Sequence, residues 1–211
     1  MARVIQIPNG QFAQNCFLVV PDGSSDAIVV DPGEEADRIL ARAHREGLTI
    51  RAIWLTHAHL DHVLGVKAVR DATGAPIYLH PADRPLYDNA PQQGQWFGFR
   101  VEPPPPPDHA LAHGDRLALG PEAVEVRHAP GHSPGSVCFV GARFVLAGDV
   151  LFQGSIGRTD LPGGNLERLL RSIREQLLTL PDDTLVYSGH GPVTTIGAER
   201  ETNPFLTGEL G

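Results

Sequence analysis

The chain lacks a long hydrophobic run: its 211 residues contain no segment that approaches the roughly 18 apolar residues of a membrane-spanning helix. It begins MARVIQIPNG, without the basic stretch, apolar stretch and small-residue cleavage site of a secretory signal. We therefore expect the protein neither to span a membrane nor to anchor in one, and we expect a cytoplasmic location.

Basic residues are few. Lysine and arginine together number 17 against 25 aspartates and glutamates, which gives a formal net charge of −8 at pH 7, and Lys67 is the one lysine. An excess of negative charge opposes binding to a phosphate backbone, so we expect no nucleic-acid partner. The charge balance leaves the oligomeric state open.

Cysteine is scarce as well. Cys16 and Cys138 each lie in a β-like run, and neither has the spacing of a metal-binding or redox pair. Such a setting is typical of a small buried hydrophobic residue. We expect neither a disulfide nor a catalytic thiol.

What the chain does contain predicts one α/β domain over 1–211. Short β-prone runs and helical patterns predict, in the first half, strands at 3–7, 16–20, 27–31, 51–55 and 76–79 with helices at 34–46 and 61–71. The second half repeats this plan, with strands at 115–119, 122–128, 136–140, 143–147 and 184–187 and a helix at 166–178. Two sets of strands, each backed by helices, predict two sheets packed face to face in a four-layer αββα sandwich.

Two turn-forming segments separate the halves. Residues 81–98 are rich in turn signals and are predicted to form loops, and the five prolines 103–107 predict a stiff polyproline II connection on the surface. The wider segment 81–108 also contains aromatic residues: Tyr87, Trp96, Phe97 and Phe99. We expect these side chains either to cover a functional site or to pack on the core.

The most informative stretch is THAHLDH, residues 56–62, which places three histidines and an aspartate directly after an apolar strand. His57 and His59, two positions apart in an extended turn, can point at one ion. Asp61 and His62, at the start of the next helix, can face a neighbouring ion. One short segment therefore predicts the beginning of two metal positions.

Three further residues have a similar setting: His132 in GHSPG, Asp149 in AGD and His190 in SGHGP. Each lies at the end of a β-like run beside glycine, which lets the backbone turn tightly and bring the side chain to a common edge. Imidazole and carboxylate ligands suit divalent zinc, iron or manganese, and a bridging carboxylate lets two ions lie about 3.5–4 Å apart. The joint pattern predicts a metal site.

The motifs THAHLDH, GHSPGS, LAGDVLF and SGHGP, in this order, resemble the metallo-β-lactamase superfamily over essentially the full chain. The segments GDVLFQGSIGR and GAERETNPFL resemble its small glyoxalase II-like (hydroxyacylglutathione hydrolase-like) members. The resemblance implies the αββα metallo-β-lactamase-like sandwich and a small-molecule substrate. It assigns His57, His59 and His132 to one metal, Asp61, His62 and His190 to a second, and Asp149 to a position between them.

The resemblance also implies a chemistry. Two divalent ions, zinc by preference over iron or manganese, would share a water whose proton is lost near neutral pH, and the resulting hydroxide would attack the substrate carbonyl. Asp61 would accept a hydrogen bond from that water and orient the attack. A thioester, such as S-lactoylglutathione or a related acyl compound, fits because its thiolate leaves without full protonation. Many lactamases use a cysteine ligand that is missing at the matching position, which disfavours antibiotic hydrolysis.

Two further residues receive roles by resemblance. Asp31 in VVDPG matches an aspartate that supports a histidine ligand in this superfamily, and a strand-end turn is its alternative role. Arg158 matches by position a basic residue that glyoxalase II directs at the glutathione carboxylate, which makes it a candidate substrate-binding residue.

Two alternatives to a hydrolase stay open. Gly157 to Asp160 also resembles persulfide dioxygenases of the same fold, which hold a single iron with the equivalents of His57, His132 and Asp149. A non-catalytic binding module is the other, and it predicts the loss of ligands that are all present here. A metal count separates the hydrolase from the dioxygenase: two ions per chain indicate the hydrolase, and one iron indicates the dioxygenase.

Overall fold

The computed structural model describes residues 2–98 and 100–208 of the chain. Its strands form two six-stranded sheets. In spatial order the first sheet contains β1 (Arg3–Asn9), β2 (Gln14–Val20), β3 (Asp26–Val30), β4 (Thr49–Trp54), β5 (Ile77–Leu79) and β6 (His109–Ala110). The second contains β7 (Arg116–Leu119), β8 (Glu122–His128), β9 (Val137–Val140), β10 (Phe144–Gly148), β13 (Leu185–Ser188) and β14 (Thr194–Thr195). A separate small hairpin consists of β11 (Leu151–Phe152) and β12 (Ser155–Ile156).

Helices cover the outer face of each sheet. Those of the first half are α1 (Ala36–Arg45), α2 (Leu60–Val63), α3 (Val66–Thr73), α4 (Arg84–Asp88) and α5 (Ala90–Trp96). Those of the second half are α6 (Leu166–Ser172), which continues as a π-helical segment over Ile173–Leu177, α7 (Ile196–Thr202) and α8 (Pro204–Thr207). Within the described residues, no helix is both long and apolar enough to cross a membrane.

The alternation of side chains along the strands produces the layers. In β2, Phe17 and Val19 enter the apolar layer between the two sheets, whereas Cys16 and Leu18 pack under the helices of the first half. Cys138 belongs to a third layer, between the second sheet and α6. A period of two sends neighbouring residues to opposite faces, so each sheet is buried on both sides. The predicted four-layer αββα sandwich is confirmed.

The burial predicted for the two cysteines from their context is confirmed. Both are free and buried, and they lie in different outer layers of the molecule. Burial raises the pKa of the Cys138 thiol to about 12, as expected for an unreactive buried thiol.

Two predictions of local structure are wrong. The helix predicted over 61–71 is interrupted, because the Gly65 amide donates to the Pro32 carbonyl (2.9 Å) instead of continuing the helical pattern. The loops predicted over 81–98 contain α4 and α5, each with a proline in its first turn. There the proline ring fits the helix, and its missing N–H removes no hydrogen bond within the helix.

The proline run has neither helix nor strand in the structure. The hydroxyl of the buried Tyr87 donates to the Pro105 carbonyl (2.8 Å), which ties this segment to α4. Tyr87 therefore belongs to the core, one of the two roles expected for the aromatic residues of this region; Phe99 lies outside the described residues.

Candidate metal centre

The candidate ligands leave the sheets at one edge of the molecule. His57 and His59 follow β4, and Asp61 and His62 lie in the short helix α2 that comes next. In the second half, His132 lies in the loop between β8 and β9. The two remaining candidates each follow a strand closely: Asp149 after β10 and His190 after β13.

A first cluster consists of His57, His59 and His132, whose potential donor atoms all lie within 4.8 Å of one another. His132 Nε2 lies 3.2 Å from His57 Nε2 and 2.8 Å from His59 Nδ1. All three rings are buried. Three imidazole nitrogens that converge in this way form a set of ligands suited to zinc, iron or another transition metal.

A second cluster consists of Asp61, His62 and His190, whose potential donor atoms also lie within 4.8 Å of one another. His190 Nε2 is 3.1 Å from Asp61 Oδ2, and His62 Nε2 is 3.6 Å from the same oxygen. Unlike the first cluster, this one contains a carboxylate and is partly open, since the side chains of Asp61 and His190 are 20% and 30% exposed.

Asp149 lies between the two clusters. Its Oδ2 is 3.5 Å from His132 Nε2 in the first cluster and 3.6 Å from His190 Nε2 in the second. Its Oδ1 is 3.4 Å from His62 Nε2. A carboxylate in this position can reach ions held by either cluster.

The orientation of three histidine rings is set by hydrogen bonds at Nδ1. His132 Nδ1 donates to the Arg158 carbonyl (2.8 Å), His190 Nδ1 to the Phe12 carbonyl (3.1 Å), and His62 Nδ1 to Asp31 Oδ2 (3.0 Å). An oxygen acceptor at Nδ1 requires the proton there, so the lone pair of a neutral ring is at Nε2. In each case Nε2 is the atom that faces the other candidate ligands.

Asp31 supports both clusters. Besides His62, its carboxylate accepts from the Thr56 amide (2.7 Å) and the Thr56 hydroxyl (2.6 Å). That hydroxyl gives its one proton to Asp31, so its oxygen can accept from His57 Nδ1 at 3.0 Å. Asp31 is fully buried, and these contacts match the supporting role that the resemblance implied rather than that of a simple turn residue.

Asp83 is a functional residue that the sequence analysis missed. Its buried carboxylate accepts from the Ala58 amide (3.0 Å), between two first-cluster histidines, and from the Ser133 hydroxyl (2.7 Å) and Gly135 amide (2.5 Å), in the loop that contains His132. It therefore joins the two loops of the first cluster. The one signal in the sequence is the position of Asp83, an acidic residue shortly after the apolar strand β5.

Asn15 has a comparable role for the second cluster. Its amide group donates to the carbonyls of Ser188 (3.0 Å) and Gly191 (2.8 Å), and its backbone amide donates to the Gly189 carbonyl (2.7 Å). These bonds hold the loop of His190 against β2. Gly189 is required for a close approach, because a Cβ there would collide with Asp149 Oδ1.

The electrostatics of the centre differ between the clusters. Burial, assisted by the neighbouring imidazoles, lowers the pKa of His57 well below its ordinary value, and burial lowers the pKa of His59 to about 3. Neutral rings have the free lone pairs that a cation needs. Burial also opposes charge on His62, but the charges of Asp61 and Asp149 outweigh it and hold its pKa well above the ordinary value. The second cluster thus favours a positive charge, whether a proton or a metal ion provides it.

A further observation shows that these residues are suited to hold metal ions. Among the described residues, Nε2 of His62 and Oδ1 of Asp149 are buried without a hydrogen-bond partner. A buried polar atom that is left unpaired costs free energy, and a bound cation would compensate both atoms. The donor set, with its nitrogen and carboxylate ligands, agrees with this interpretation.

Asp61, the candidate catalytic residue, and Arg158, the candidate substrate-binding residue, border the same cavity. Its volume is about 640 Å³. Asp61 faces it from α2. Arg158 lies at its rim, where its guanidinium makes two hydrogen bonds of 2.8 Å to the Asp160 carboxylate. The structure thus places the side chain of Arg158 beside the cavity, already paired, while its backbone carbonyl orients His132.

Comparisons with known proteins agree with this description. The family model of the metallo-beta-lactamase superfamily matches residues 9–190. The chain is 43% identical to the probable metallo-hydrolase YqgX of Bacillus subtilis strain 168, over 96% of this chain and 97% of the relative. It is 40% identical to the hydroxyacylglutathione hydrolase GloC of Haemophilus influenzae strain Rd, over 95% and 96%.

Solved structures show the same similarity. The crystal structure of the B3 metallo-beta-lactamase BLEG-1 matches with a TM-score of 0.92 and 43% identity, covering 97% of this chain and 100% of that one. The crystal structure of TTHA1623 in a di-iron-bound form matches with a TM-score of 0.89 and 43% identity, covering 96% and 100%. On its sequence, its fold and its clustered histidines, this chain belongs to the metallo-beta-lactamase superfamily.

Proposed function

We propose that this metallo-hydrolase cleaves thioesters, of which S-lactoylglutathione is the reference, with two divalent metal ions and Asp61 as the residue that orients the attacking water. The observation that carries the proposal is the pair of donor clusters with Asp149 between them, on the wall of one cavity. The similarity to GloC supports the substrate class, and the di-iron-bound form of TTHA1623 supports a centre of two metals.

In this proposal His57, His59 and His132 would hold one ion, Asp61, His62 and His190 would hold the second, and Asp149, between the two clusters, would be available to either. When bound, such ions lower the pKa of a water ligand to about 7 and polarise a substrate carbonyl. We propose zinc as the metal, with iron as the first alternative because TTHA1623 binds it, and manganese after that.

The protein's own residues supply orientation and proton handling. The Nδ1 hydrogen bonds hold the rings of the ligands in place, and Asp31 does so in both clusters. The Asp61 carboxylate accepts a hydrogen bond from the water that attacks. A carbon–oxygen bond forms, the carbon–sulfur bond breaks, and the two protons of the water end on solvent or on the thiol and carboxylate products. Burial favours the neutral form of Asp61, but a positive charge on the neighbouring His62 outweighs burial and lowers the pKa of Asp61. A cation held by the second cluster would act in the same direction, so the carboxylate would stay ionised and able to accept.

The test combines metal analysis of the purified protein with three assays: thioester hydrolysis on S-lactoylglutathione, oxygen uptake on glutathione persulfide, and hydrolysis of a chromogenic β-lactam. We expect about two ions per chain and thioester turnover without oxygen consumption. Asp61→Asn should lower kcat by about 10²–10⁴-fold. His44→Ala, on the exposed face of α1, is the matched control and should retain activity.

Each alternative has its own outcome in this experiment. A single iron with oxygen uptake would replace the proposal with the dioxygenase. Absence of turnover in all three assays by the metal-loaded protein would leave the non-catalytic module.

Hydrolysis of β-lactams is a second candidate, because the B3 metallo-beta-lactamase BLEG-1 is 43% identical to this chain. A rate on the β-lactam above that on the thioester would favour it.

We place the reaction in the cytoplasm, as predicted from the sequence.

A further inference from the structure

The cavity beside the metal centre has two chemically different walls. One contains the candidate metal ligands, among them His59, Asp61 and His190. The other consists mainly of apolar side chains from the β1–β2 turn, from α4 and α5, and from the segment after β10. A ligand whose reacting carbonyl lies at the first wall must place the rest of its structure against the second.

The apolar wall carries aromatic side chains that the described part of the chain does not cover. Trp96 and Phe97, at the end of α5, are 59% and 52% exposed, the two highest values among the large hydrophobic residues that the structure describes as exposed. Phe97 packs edge to face with Phe12 at 5.2 Å between ring centroids, and Phe152 contacts His190 edge on at 6.1 Å. Exposed apolar surface of this kind, continuous with a polar site, is typical of a ligand-binding wall.

Gln93, a polar residue of this wall, is already engaged. The Gln93 side chain accepts from the Leu60 amide (3.1 Å) and donates to the carbonyls of Ala58 (3.2 Å) and Leu86 (2.8 Å). It therefore braces α5 against the metal centre. Little of its hydrogen-bonding capacity is left for a ligand.

The cavity also offers little positive charge to a ligand. Histidines aside, Arg158 is the one basic residue among the described residues that line the cavity. Its guanidinium is paired with Asp160 through two hydrogen bonds, and this pairing lowers the pKa of Asp160 to about 2. A ligand with several carboxylates would have to displace Asp160 to obtain one counter-charge, whereas an uncharged apolar group meets surface that suits it.

We propose that the preferred substrate of this site is a thioester with an uncharged apolar arm, alkyl or aryl, which lies against Trp96, Phe97 and Phe152. This inference rests on the proposed thioester hydrolysis and refines its substrate class. Trp96 and Phe97 set the preference, because they offer the largest apolar surface still open to a ligand. Arg158 is not the anchor of the substrate.

The kinetic test uses thioesters of N-acetylcysteamine with acyl chains from acetyl to octanoyl, and acetyl thioesters of alkanethiols from ethyl to hexyl, with the metal-loaded protein. Burial of each methylene should raise kcat/KM about threefold to fourfold in at least one series until the cavity is filled. Trp96→Ala and Phe97→Ala should reduce this gain per methylene to less than twofold, and Trp96→Leu should retain most of it.

Leu185→Ala is the matched control, since Leu185 is also a large exposed hydrophobic residue (40%) but does not line the cavity. It should leave the dependence on chain length unchanged. The inference is overturned if both series are flat in the wild-type protein, or if Trp96→Ala and Phe97→Ala keep the full gain. The inference is also overturned if the protein prefers S-octanoylglutathione to the octanoyl thioester of N-acetylcysteamine by more than tenfold and Arg158→Ala abolishes this preference.

A binding measurement separates this inference from the reaction. The chain has two tryptophans, and Trp54 is 2% exposed, so a change in emission on ligand binding reports Trp96. S-octyl-N-acetylcysteamine, a thioether that cannot be hydrolysed, should shift the emission to shorter wavelength, whereas the S-methyl compound should not. If this probe binds but no thioester is cleaved, the apolar subsite stands and the proposed hydrolysis fails. If thioesters are cleaved but the octyl probe leaves the emission unchanged, the subsite is overturned.

Discussion

At the scale of single residues, buried carboxylates that are not themselves candidate ligands organise the metal centre. Asp31 contacts both clusters through His62 and Thr56, and Asp83 joins the two loops of the first cluster. A charged oxygen that accepts several hydrogen bonds holds its donors more firmly than a neutral acceptor. Substitution of either residue should therefore affect metal binding without removing a ligand.

Asp83→Asn should lower the free energy of unfolding of the metal-free protein by about 1–3 kcal/mol, because the asparagine NH2 group would face donors that now contact a carboxylate. It should also weaken the binding of one ion, the one assigned to the first cluster, by about 10–100-fold. Denaturant unfolding and metal titration measure the two effects. Asp88→Asn, which removes an exposed partner of Arg84, is the control. Equal weakening of both ions would contradict the role assigned to Asp83.

Asp31→Asn should weaken the binding of both ions by about 10–100-fold, since its carboxylate supports His62 directly and His57 through Thr56. Calorimetric metal titration separates the two binding steps. Asp26→Asn, which breaks a surface pair with Arg51, should leave both steps unchanged. An effect on one ion alone would show that the contact through Thr56 does not transmit support to the first cluster.

At the scale of elements, the loops after the strands bring the candidate ligands together because small residues let these loops approach closely. A Cβ at Gly189 would collide with Asp149 Oδ1, and one at Gly148, which has a positive φ of 50°, would collide with Thr56 Oγ1. Tight turns were the predicted reason for glycine at these positions. That reason holds for Gly148, whereas at Gly189 the requirement is space for a ligand from another strand.

Gly189→Ala should destabilise the protein and reduce its metal content. The physical reason is the collision with Asp149, so the loss of stability should be smaller when alanine replaces Asp149. In a double-mutant cycle measured by denaturant unfolding, we expect a coupling of about 0.5–3 kcal/mol between the two positions. Strictly additive losses would mean that Gly189 acts through another neighbour, such as His62.

How well an element was predicted depends on whether its signal is local in the sequence. Strands with a clear apolar signal lie within two residues of their predicted bounds, because a residue facing an apolar layer must be apolar. Examples are β2, buried along its whole length with a continuous apolar run, and β8, in which buried and partly exposed residues alternate. The helices α4 and α5 are short and contain Pro85 and Pro91, so local signals favoured turns. The break at Gly65 depends on the Pro32 carbonyl, which is distant in sequence.

At the scale of the whole molecule, metal binding should stabilise the fold, because the candidate ligands come from both halves of the chain. Removal of metal with a chelator should lower the melting temperature by roughly 5–10 °C for each ion that is present at about 100 times its dissociation constant. Differential scanning calorimetry of the metal-free and metal-loaded protein measures this shift. A melting temperature that does not change with metal would contradict the assignment of these clusters as binding sites.

The same scans test the single domain predicted over 1–211. We expect one cooperative transition in both forms, since the apolar layer between the sheets contains residues of both halves, for example Trp54 and Phe139, whose ring centroids lie 5.1 Å apart. Two separate transitions would contradict the prediction.

The amino-acid sequence by itself determined the types of candidate ligand, the apolar strand patterns and therefore the layered architecture, because these depend on residue chemistry and on local periodicity. Tertiary structure alone decided how the ligands are oriented and what surrounds them. The carbonyls of Arg158 and Phe12 orient His132 and His190, and every residue has such a carbonyl, so no side-chain pattern could reveal them. Trp96 and Phe97 likewise reach the apolar wall of the cavity only because α5 packs beside α2, a contact between segments that the sequence does not connect by any periodic signal.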